Sequence, residues 1–165
     1  MPVAEIEHKV LESLGRLGIP YVRHEHPPVA TVEEAEEHWA GLQGTHCKNL
    51  FLRNYKGNHH YLVIAPVTRG IDLKRLTADL GEDRLSFASA ERLRRWLGVG
   101  PGSVSPFGLL NDETHQVRVV CDLALKSGPR LGFHPNVNTA TLEISLADFE
   151  RFLASCGNPV RWLEL

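Results

Sequence analysis

Apolar residues recur every three or four positions in several segments, and this spacing predicts amphipathic helices. The first segment covers residues 4–17 and ends at Gly18, a residue type that readily adopts the left-handed conformation at a helix end. Two others begin at capping residues, because Asp72 and Ser89 each precede an apolar periodic run that a glycine follows. Beyond the first helix, the pattern predicts helices over residues 31–39, 72–80, 89–97 and 146–156.

Short apolar runs between turn residues predict strands. The clearest pair covers residues 49–53 and 60–65, which flank a turn sequence at residues 55–58 and predict a β-hairpin. Further strands are predicted over residues 21–24, 85–87, 117–125, 131–134, 141–144 and 160–163. Helices and hairpins are interspersed without strict alternation of strand and helix. The chain is therefore predicted to form a single α+β domain over residues 1–165, with a mixed, largely antiparallel sheet flanked by helices.

The composition is that of an ordinary globular protein, with 165 residues of which 42% are hydrophobic and 23% charged. No apolar run approaches the length of a membrane span, and the N-terminus lacks the pattern of a secretory signal. We therefore expect a cytoplasmic protein without a membrane partner. The cysteines Cys47, Cys121 and Cys156 are odd in number and widely spaced, so a disulfide framework is not expected.

The net charge of −2 means that contact with a nucleic acid requires a local basic patch. One candidate is the predicted helix over residues 89–97, where Arg92 and Arg95 share a face. Such a face could contact a phosphate backbone, and a solvated helix face is the alternative.

The stretch from Leu97 to Gly108 combines four glycines, two prolines and two serines. Glycine lets main-chain N–H groups approach a ligand closely, and proline fixes φ, so the loop is expected to have a defined shape. A loop of this kind suits a small polar substrate or an oxyanion. A tight connection between a helix and a strand is the alternative interpretation.

Two further segments place polar groups beside predicted strands. Lys48 lies at the start of the first hairpin strand, where its ammonium group suits a phosphate or a carboxylate; a surface lysine is the alternative. Residues 133–141 form a turn with the imidazole of His134, two carboxamides and two hydroxyls. His134 could donate a hydrogen bond or transfer a proton, or it could simply cap the turn.

A metal site is not expected, because the histidines and cysteines lack the paired spacing of zinc ligands. His59 and His60 lie beside the hairpin turn and are expected to be solvated. The full set of candidate ligands is His24, His26, His46, Cys47, His59 and His60.

Covalent catalysis by a serine or cysteine side chain has little support in the sequence. A serine hydrolase using Ser103 or Ser105 with His134 and Asp122 would lack the Gly-x-Ser-x-Gly turn between a strand and a helix. A thiol nucleophile at Cys47 is poorly placed for His46, because neighbours in a strand point to opposite faces.

The order and spacing of the motifs resemble the YbaK/prolyl-tRNA synthetase editing-domain superfamily, and within it the freestanding prolyl-tRNA synthetase-associated proteins of the ProX and PrdX type. The likeness covers nearly the whole chain. The matching segments are Cys47-Lys48-Asn49-Leu50-Phe51-Leu52, then Leu85-Ser86-Phe87-Ala88 with Leu97-Gly98, then Gly102-Ser103-Val104-Ser105-Pro106, and finally Phe133-His134-Pro135-Asn136-x-Asn138-Thr139-x-Thr141.

The resemblance implies a deacylase that acts in trans on the ester between a wrong amino acid and the 3′-terminal adenosine of tRNA, with alanyl-tRNA(Pro) as substrate. It implies that Lys48 contacts the phosphate of the terminal nucleotide. It further implies no side-chain nucleophile, with the substrate's own 2′-hydroxyl helping to activate water, and no cofactor or metal is expected. The remaining site residues that it suggests are Gly102, Ser103, Val104, Ser105 and Pro106 around the aminoacyl group, and Asn49, His134, Asn136 and Asn138 in the pocket.

Such an activity has a physical rationale. A synthetic site for proline cannot strongly reject a smaller amino acid, because each lost methylene is worth only ~1–3 kcal/mol in an apolar pocket. Three alternatives stay open from the sequence: a deacylase for cysteinyl- or seryl-tRNA, a non-catalytic module that binds tRNA or a synthetase, and a metal-dependent hydrolase. Prolyl-tRNA synthetase is the candidate protein partner.

Overall fold

Eight strands form one mixed sheet in the computed structural model, which describes residues 2–28 and 44–165. They are β1 (Val22–Glu25), β2 (Thr45–Asn54), β3 (His60–Pro66), β4 (Leu85–Phe87), β5 (Val117–Asp122), β6 (Arg130–Phe133), β7 (Ala140–Ser145) and β8 (Val160–Leu163). Their order across the sheet is β1-β7-β6-β2-β3-β5-β8, and β4 pairs with β2. Within the described ranges, neighbouring strands form four antiparallel and three parallel pairs. The predicted α+β fold with a mixed sheet is therefore confirmed.

Four α-helices accompany the sheet in the described residues: α1 (Val3–Leu17), α2 (Leu73–Asp79), α3 (Ala90–Leu97) and α4 (Leu146–Cys156). The predicted caps are confirmed at Asp72, which accepts hydrogen bonds from two main-chain N–H groups of α2, and at Ser89, which accepts one from α3. The helix predicted over residues 31–39 lies outside the described residues. Nowhere in the described chain is there a helix with the length and apolar character to cross a bilayer.

Two short 3-10 helices were not predicted. The first (Pro106–Asn111) follows the glycine loop directly. The second (Leu123–Ser127) replaces the end of the strand predicted over residues 117–125. That strand stops at Asp122, because the Asp122 carboxylate accepts a hydrogen bond from the main-chain N–H of Ala124 at 3.2 Å and turns the chain.

The sheet has an apolar layer on each face. The larger layer contains residues of α1, α3 and α4 and includes Phe107, Phe133, Phe149 and Phe152, each at most 2% exposed. Burying one such side chain stabilises the fold by about 1.5–3 kcal/mol. The smaller layer lies on the other face, where Leu76 of α2 packs against the sheet. All three cysteines are free thiols, as the sequence predicted.

The strand β2 changes partner along one of its edges. Thr45 and His46 pair with β6, whereas residues 52–54 pair with β4. Between them, residues 47–50 have no strand beside them on this edge among the described residues, and only the main-chain N–H of Ala88 reaches back, to Phe51 O at 2.9 Å. We call residues 47–50 the β2 gap. Lys48 and Asn49 both lie in it.

The prediction that His60 is solvated is wrong. His60 is 3% exposed, and its ring stacks on Phe51 and lies 5.1 Å from the ring of Trp96. As the first residue of β3 it faces the larger apolar layer, so the ring completes that layer. Arg92 lies 2.9 Å from its Nε2, and a guanidinium only donates, so Nε2 accepts and the imidazole is neutral. Only His59 of the pair is partly solvated, and it contacts Glu82 at 2.6 Å.

Burial of His60 makes the fold sensitive to acid. Burial first, and then the charges of Arg92, Arg95 and Arg53, lower the pKa of His60 from 6.5 to about 4. Between these pH values the unfolded chain binds a proton here that the folded chain does not. The free energy of unfolding therefore falls as the pH is lowered through this window.

We expect His60→Gln to remove a pH dependence worth about 3 kcal/mol across that window. The measurement is urea unfolding of the wild type and the variant at a series of pH values from neutral to about 4. The matched control is His8→Gln, because His8 is exposed on α1. An unchanged pH dependence in His60→Gln would contradict this account.

Candidate active site

The glycine loop rests directly against the turn between β6 and β7. The hydroxyl of Ser105 donates a hydrogen bond to Asn136 Oδ1 at 3.0 Å, and both side chains are buried. A Cβ placed at Gly102 would lie 4.0 Å from the amide nitrogen of Asn138. The structure thus brings together the two polar segments that the sequence singled out. We call residues 100–106 and 134–139 together the loop–turn unit.

The backbone of the loop–turn unit is sharply folded. Gly102 has a φ of +86°, and Asn136 has a φ of +63°. The left-handed region suits glycine and tolerates asparagine, which explains these residue types at these places. The main-chain N–H of Ser103 donates to Gly100 O at 3.2 Å. The N–H groups of Gly102 and Val104 make no hydrogen bond to any described residue, so they are available as donors.

The last three loop residues are used within the fold. Ser105 Oγ accepts from the main-chain N–H of Phe107 at 3.0 Å while it donates to Asn136. Pro106 is buried at the start of the first 3-10 helix, and Val104 packs against the larger apolar layer. Their contacts assign these side chains to holding the loop in shape. Gly102 is exposed and Ser103 is half-buried, so this part of the loop is accessible from solvent.

The imidazole of His134 is held in one tautomer. Its Nδ1 lies 2.9 Å from Ala140 O, and because a carbonyl only accepts, Nδ1 carries the hydrogen. Burial lowers the pKa of His134; the Ala140 carbonyl opposes this shift, and the nearby His26 adds to it. A neutral ring with hydrogen on Nδ1 leaves the lone pair of Nε2 available. His134 can therefore accept a hydrogen bond at neutral pH.

His26 packs beside His134 and holds the end of its turn, a role that could not be predicted from the sequence. The main-chain N–H of His26 donates to Thr139 O at 3.0 Å, and its Nε2 lies 2.9 Å from Thr141 Oγ1. The His26 and His134 rings are 5.8 Å apart. The sequence offered His26 only as a candidate metal ligand, because the pairing of β1 with β7 depends on a contact between distant parts of the chain.

A small hollow lies where β2 and β6 diverge. It has a volume of about 20 Å³, which is room for about one water molecule. The Asn49 side chain lines it, and the Asn49 Oδ1 atom is buried without a hydrogen-bond partner. A buried polar atom without a partner is rare in folded proteins and indicates a missing ligand or water. The lining residues are His46, Cys47, Asn49, Gly132, Phe133, His134 and Thr141.

Lys48 lies beside Asn49 in the β2 gap but on the other face of the strand. Cys47 and Phe51 pack with the larger apolar layer, whereas Leu50 packs with the smaller one, so alternation places Lys48 on the Leu50 side. Lys48 makes no ion pair or hydrogen bond with any residue that the structure describes. No contact joins it to the loop–turn unit, although its Cα is only about 3.8 Å from that of Asn49.

The geometry does not support a side-chain nucleophile. Burial raises the pKa of the Cys47 thiol strongly, and it raises that of Cys121 to about 12 and that of Cys156 to about 11, so all three are protonated at neutral pH. Asp122 cannot orient His134, because it lies on β5, three strands from β6, and pairs with Arg69 at 3.3 Å.

The candidate metal ligands of the sequence do not converge in the described residues. In residues 2–28 and 44–165 no group of three or more histidine, cysteine, aspartate or glutamate side chains is close enough to hold a metal ion. The expectation of a metal-free site stays a prediction.

We expect Ser105→Ala to destabilise the fold by about 1–2 kcal/mol, because it removes the cap of a 3-10 helix and leaves buried polar atoms unpaired. Ser103→Ala is the matched control, since the side chain of Ser103 makes no hydrogen bond within the described chain, and it should change stability little. Urea unfolding of both variants measures the difference. Equal stability of the two variants would show that the contact between Ser105 and Asn136 does not hold the loop.

Comparison with known proteins gives a consistent result. A family model described as the aminoacyl-tRNA editing domain matches residues 26–152. The prolyl-tRNA editing protein ProX of Acetoanaerobium sticklandii is 43% identical over 161 residues, which cover 98% of each chain. The prolyl-tRNA synthetase associated domain-containing protein 1 of Mus musculus is 35% identical over 162 residues, which cover 96% of this chain and 95% of the relative.

A solved structure supports the fold. The crystal structure of a candidate trans-editing enzyme for prolyl-tRNA synthetase superposes with a TM-score of 0.72 over 100% of this chain and 98% of that one. At 23% identity this likeness concerns the fold alone. The family predicted from the motifs is confirmed by the family model and the relatives, and the chain belongs to the aminoacyl-tRNA editing domain family.

Proposed function

We propose that this chain is a trans-editing deacylase that hydrolyses the ester of alanyl-tRNA(Pro). The observation that carries the proposal is its 43% identity to the prolyl-tRNA editing protein ProX across 98% of both chains. The geometry supports it, because the loop–turn unit offers hydrogen-bond donors and acceptors beside the Asn49 hollow, which has room for the methyl group of an alanyl ester.

Water is the nucleophile in this reaction. Ser105 has both of its hydrogen bonds engaged, and the raised pKa values of the thiols keep them protonated. Water adds to the ester carbonyl, the bond from the carbonyl carbon to the ribose oxygen breaks, and one proton of the water ends on that ribose oxygen. The products are free alanine and tRNA with an intact terminal ribose. Catalysis then depends on positioning and on stabilising the oxyanion.

The available polar groups have distinct roles in this scheme. The free main-chain N–H groups of Gly102 and Val104 are suited to stabilise the negative oxygen of the tetrahedral intermediate. The Nε2 lone pair of His134 accepts a hydrogen bond from the attacking water or from the substrate ammonium. The unpartnered carboxamide of Asn49 binds a polar group of the substrate and so satisfies its buried oxygen. Asn136 and Asn138 shape the turn that holds His134.

Lys48 binds the phosphate of the terminal nucleotide in this proposal. Its ammonium is a point charge without a partner in the described chain, next to the gap where Asn49 faces the substrate. The Lys48 side chain leaves β2 on the face opposite to Asn49. The terminal nucleotide would therefore pass the edge of the strand at the β2 gap.

The small size of the hollow supports a preference for a small side chain. A space of about 20 Å³ has room for about one water molecule or one methyl group, so it favours an alanyl side chain over a prolyl ring. A seryl or cysteinyl side chain is larger than alanyl and should fit less well.

We place the reaction in the cytoplasm and infer that prolyl-tRNA synthetase is a protein partner. The names of several relatives connect them with that synthetase. A freestanding editing protein acts on tRNA that the synthetase has released, so proximity to the synthetase would shorten the life of the wrong product.

The substrate panel tests the proposed function. Purified protein is incubated with tRNA(Pro) charged with alanine, serine, cysteine or proline, and loss of the labelled ester is followed. We expect alanine to be released fastest and proline to be spared. Fastest release of cysteine or serine would show that one of these amino acids, and not alanine, is preferred. Binding of tRNA without release of any amino acid would identify a binding module and overturn the proposal.

We expect Lys48→Ala to lower kcat/KM for alanyl-tRNA(Pro) at least about tenfold, since it removes one charge-assisted phosphate contact. The matched control is Lys74→Ala, because Lys74 is an exposed lysine on α2, outside the β2 gap and without an ion pair within the described chain. Initial rates over a range of tRNA concentrations separate effects on KM from those on kcat. Equal activity of the two variants would remove Lys48 from the site.

A further inference from the structure

A cluster of unpaired arginines lies at the far end of β2 and on α3. Arg53, Arg92, Arg94 and Arg95 make no ion pair with a carboxylate anywhere in residues 2–28 and 44–165. Arg84, Arg118 and Arg161 also lack such a partner within these residues, but they lie apart from one another in the chain, whereas Arg92, Arg94 and Arg95 share one helix. The paired arginines are Arg16, Arg23, Arg69, Arg75, Arg130 and Arg151.

One of these arginines contacts a buried histidine, and the charges of two others act on the same ring. Arg92 donates to His60 Nε2 at 2.9 Å and to Gly57 O at 3.0 Å, which fixes α3 against the hairpin. The charges of Arg92, Arg95 and Arg53 all lower the pKa of His60. Each of the three arginines therefore contributes to a positive potential at this ring. The only acidic residue of α3 is Glu91, which forms no ion pair with a described residue.

The exposed members of the cluster are shaped for recognition of phosphate. Arg94 and Arg95 are exposed, and the Arg95 guanidinium lies 5.2 Å from the centre of the Trp96 ring, which holds it in place. An arginine guanidinium can bind a phosphate through two parallel hydrogen bonds. Because the whole chain has a net charge of −2, this patch is a local feature and not part of a general basic surface.

The position of the cluster relative to the candidate site selects the ligand. Arg53 lies four residues along β2 from Asn49, a distance of about 13 Å. The α3 helix also leads directly into the glycine loop. In the substrate, the terminal adenosine carries the ester, and unpaired nucleotides connect this adenosine to the double-stranded acceptor stem. Alternation along β2 puts Arg53 on the same face as Asn49, and α3 packs on that face too, so the arginines and a bound ester would lie on the same side of the sheet.

We propose that Arg53, Arg92, Arg94 and Arg95 bind the phosphate backbone of the acceptor stem of the substrate tRNA. This inference rests on the proposed function for the identity of the ligand. The contact reads charge and shape, so it adds affinity without distinguishing one stem sequence from another.

The test compares a substrate with a stem and one without. The double variant Arg94→Gln/Arg95→Gln is assayed on alanyl-tRNA(Pro) and on the alanyl ester of adenosine. Arg161→Gln is the matched control, because Arg161 is exposed and makes no ion pair within the described chain. It lies on β8, which β3 and β5 separate from β2 in the sheet. We expect kcat/KM of the double variant to fall about tenfold or more on the tRNA, mainly through KM, and to stay unchanged on the adenosine ester.

A binding measurement makes the test independent of catalysis. Fluorescence anisotropy with an uncharged, labelled acceptor-stem hairpin gives the Kd at several salt concentrations. The double variant should bind more weakly. Its plot of log K against the logarithm of the salt concentration should be less steep, with a slope smaller in magnitude by about two. Unchanged binding and slope, or an equal loss of activity on both substrates, would overturn the proposal. Failure of the wild type to hydrolyse either ester would count against the proposed function, while the binding result would still decide the role of the arginines.

Discussion

The site depends on a mismatch in strand length. The ten-residue strand β2 has only the four-residue strand β6 and the three-residue strand β4 on one of its edges, so part of that edge stays open. An open edge in the middle of a sheet is costly unless other groups fill it. Here the loop–turn unit and the Asn49 hollow occupy the neighbourhood of the opening. The candidate site is thus a consequence of how the sheet is assembled, and its walls are main chain and short polar side chains.

Two histidines, the buried His60 and the half-buried His134, show how a hydrogen-bond partner sets the chemistry of a ring. Both His60 and His134 have a lowered pKa because burial disfavours the charged form. At His60, Arg92 can only donate, so the ring lone pair on Nε2 is consumed in holding α3 to the hairpin. At His134, the Ala140 carbonyl can only accept, so the lone pair on Nε2 is left over. The same residue type is therefore structural at one place and chemically available at the other.

Much of the fold could be predicted from the sequence, because the caps and turns are local. Asp72, Ser89 and Gly18 act where the pattern indicated. Features that depend on distant contacts could not be predicted. The sequence shows Ser105 as a hydroxyl in a loop rich in glycine and proline, but the turn about thirty residues later determines its partner. The burial of His60 and the support from His26 likewise follow from the packing of α3 and the pairing of β1. Lys48 and Asn49 could be picked out from the sequence by their motif, and alternation along the strand separates them onto two faces.

The outer strands of the sheet have a consequence for the behaviour of the molecule in solution. The sheet ends in β1 and β8, each only four residues long, and both carry an exposed arginine in their second position. Short strands with charges offer few main-chain groups on which a foreign strand could assemble. Among the described strands, the long interrupted edge lies inside the sheet, between β6 and β4. The fold therefore keeps the β2 gap open in the interior of the sheet, while its outer strands disfavour polymerisation through strand addition.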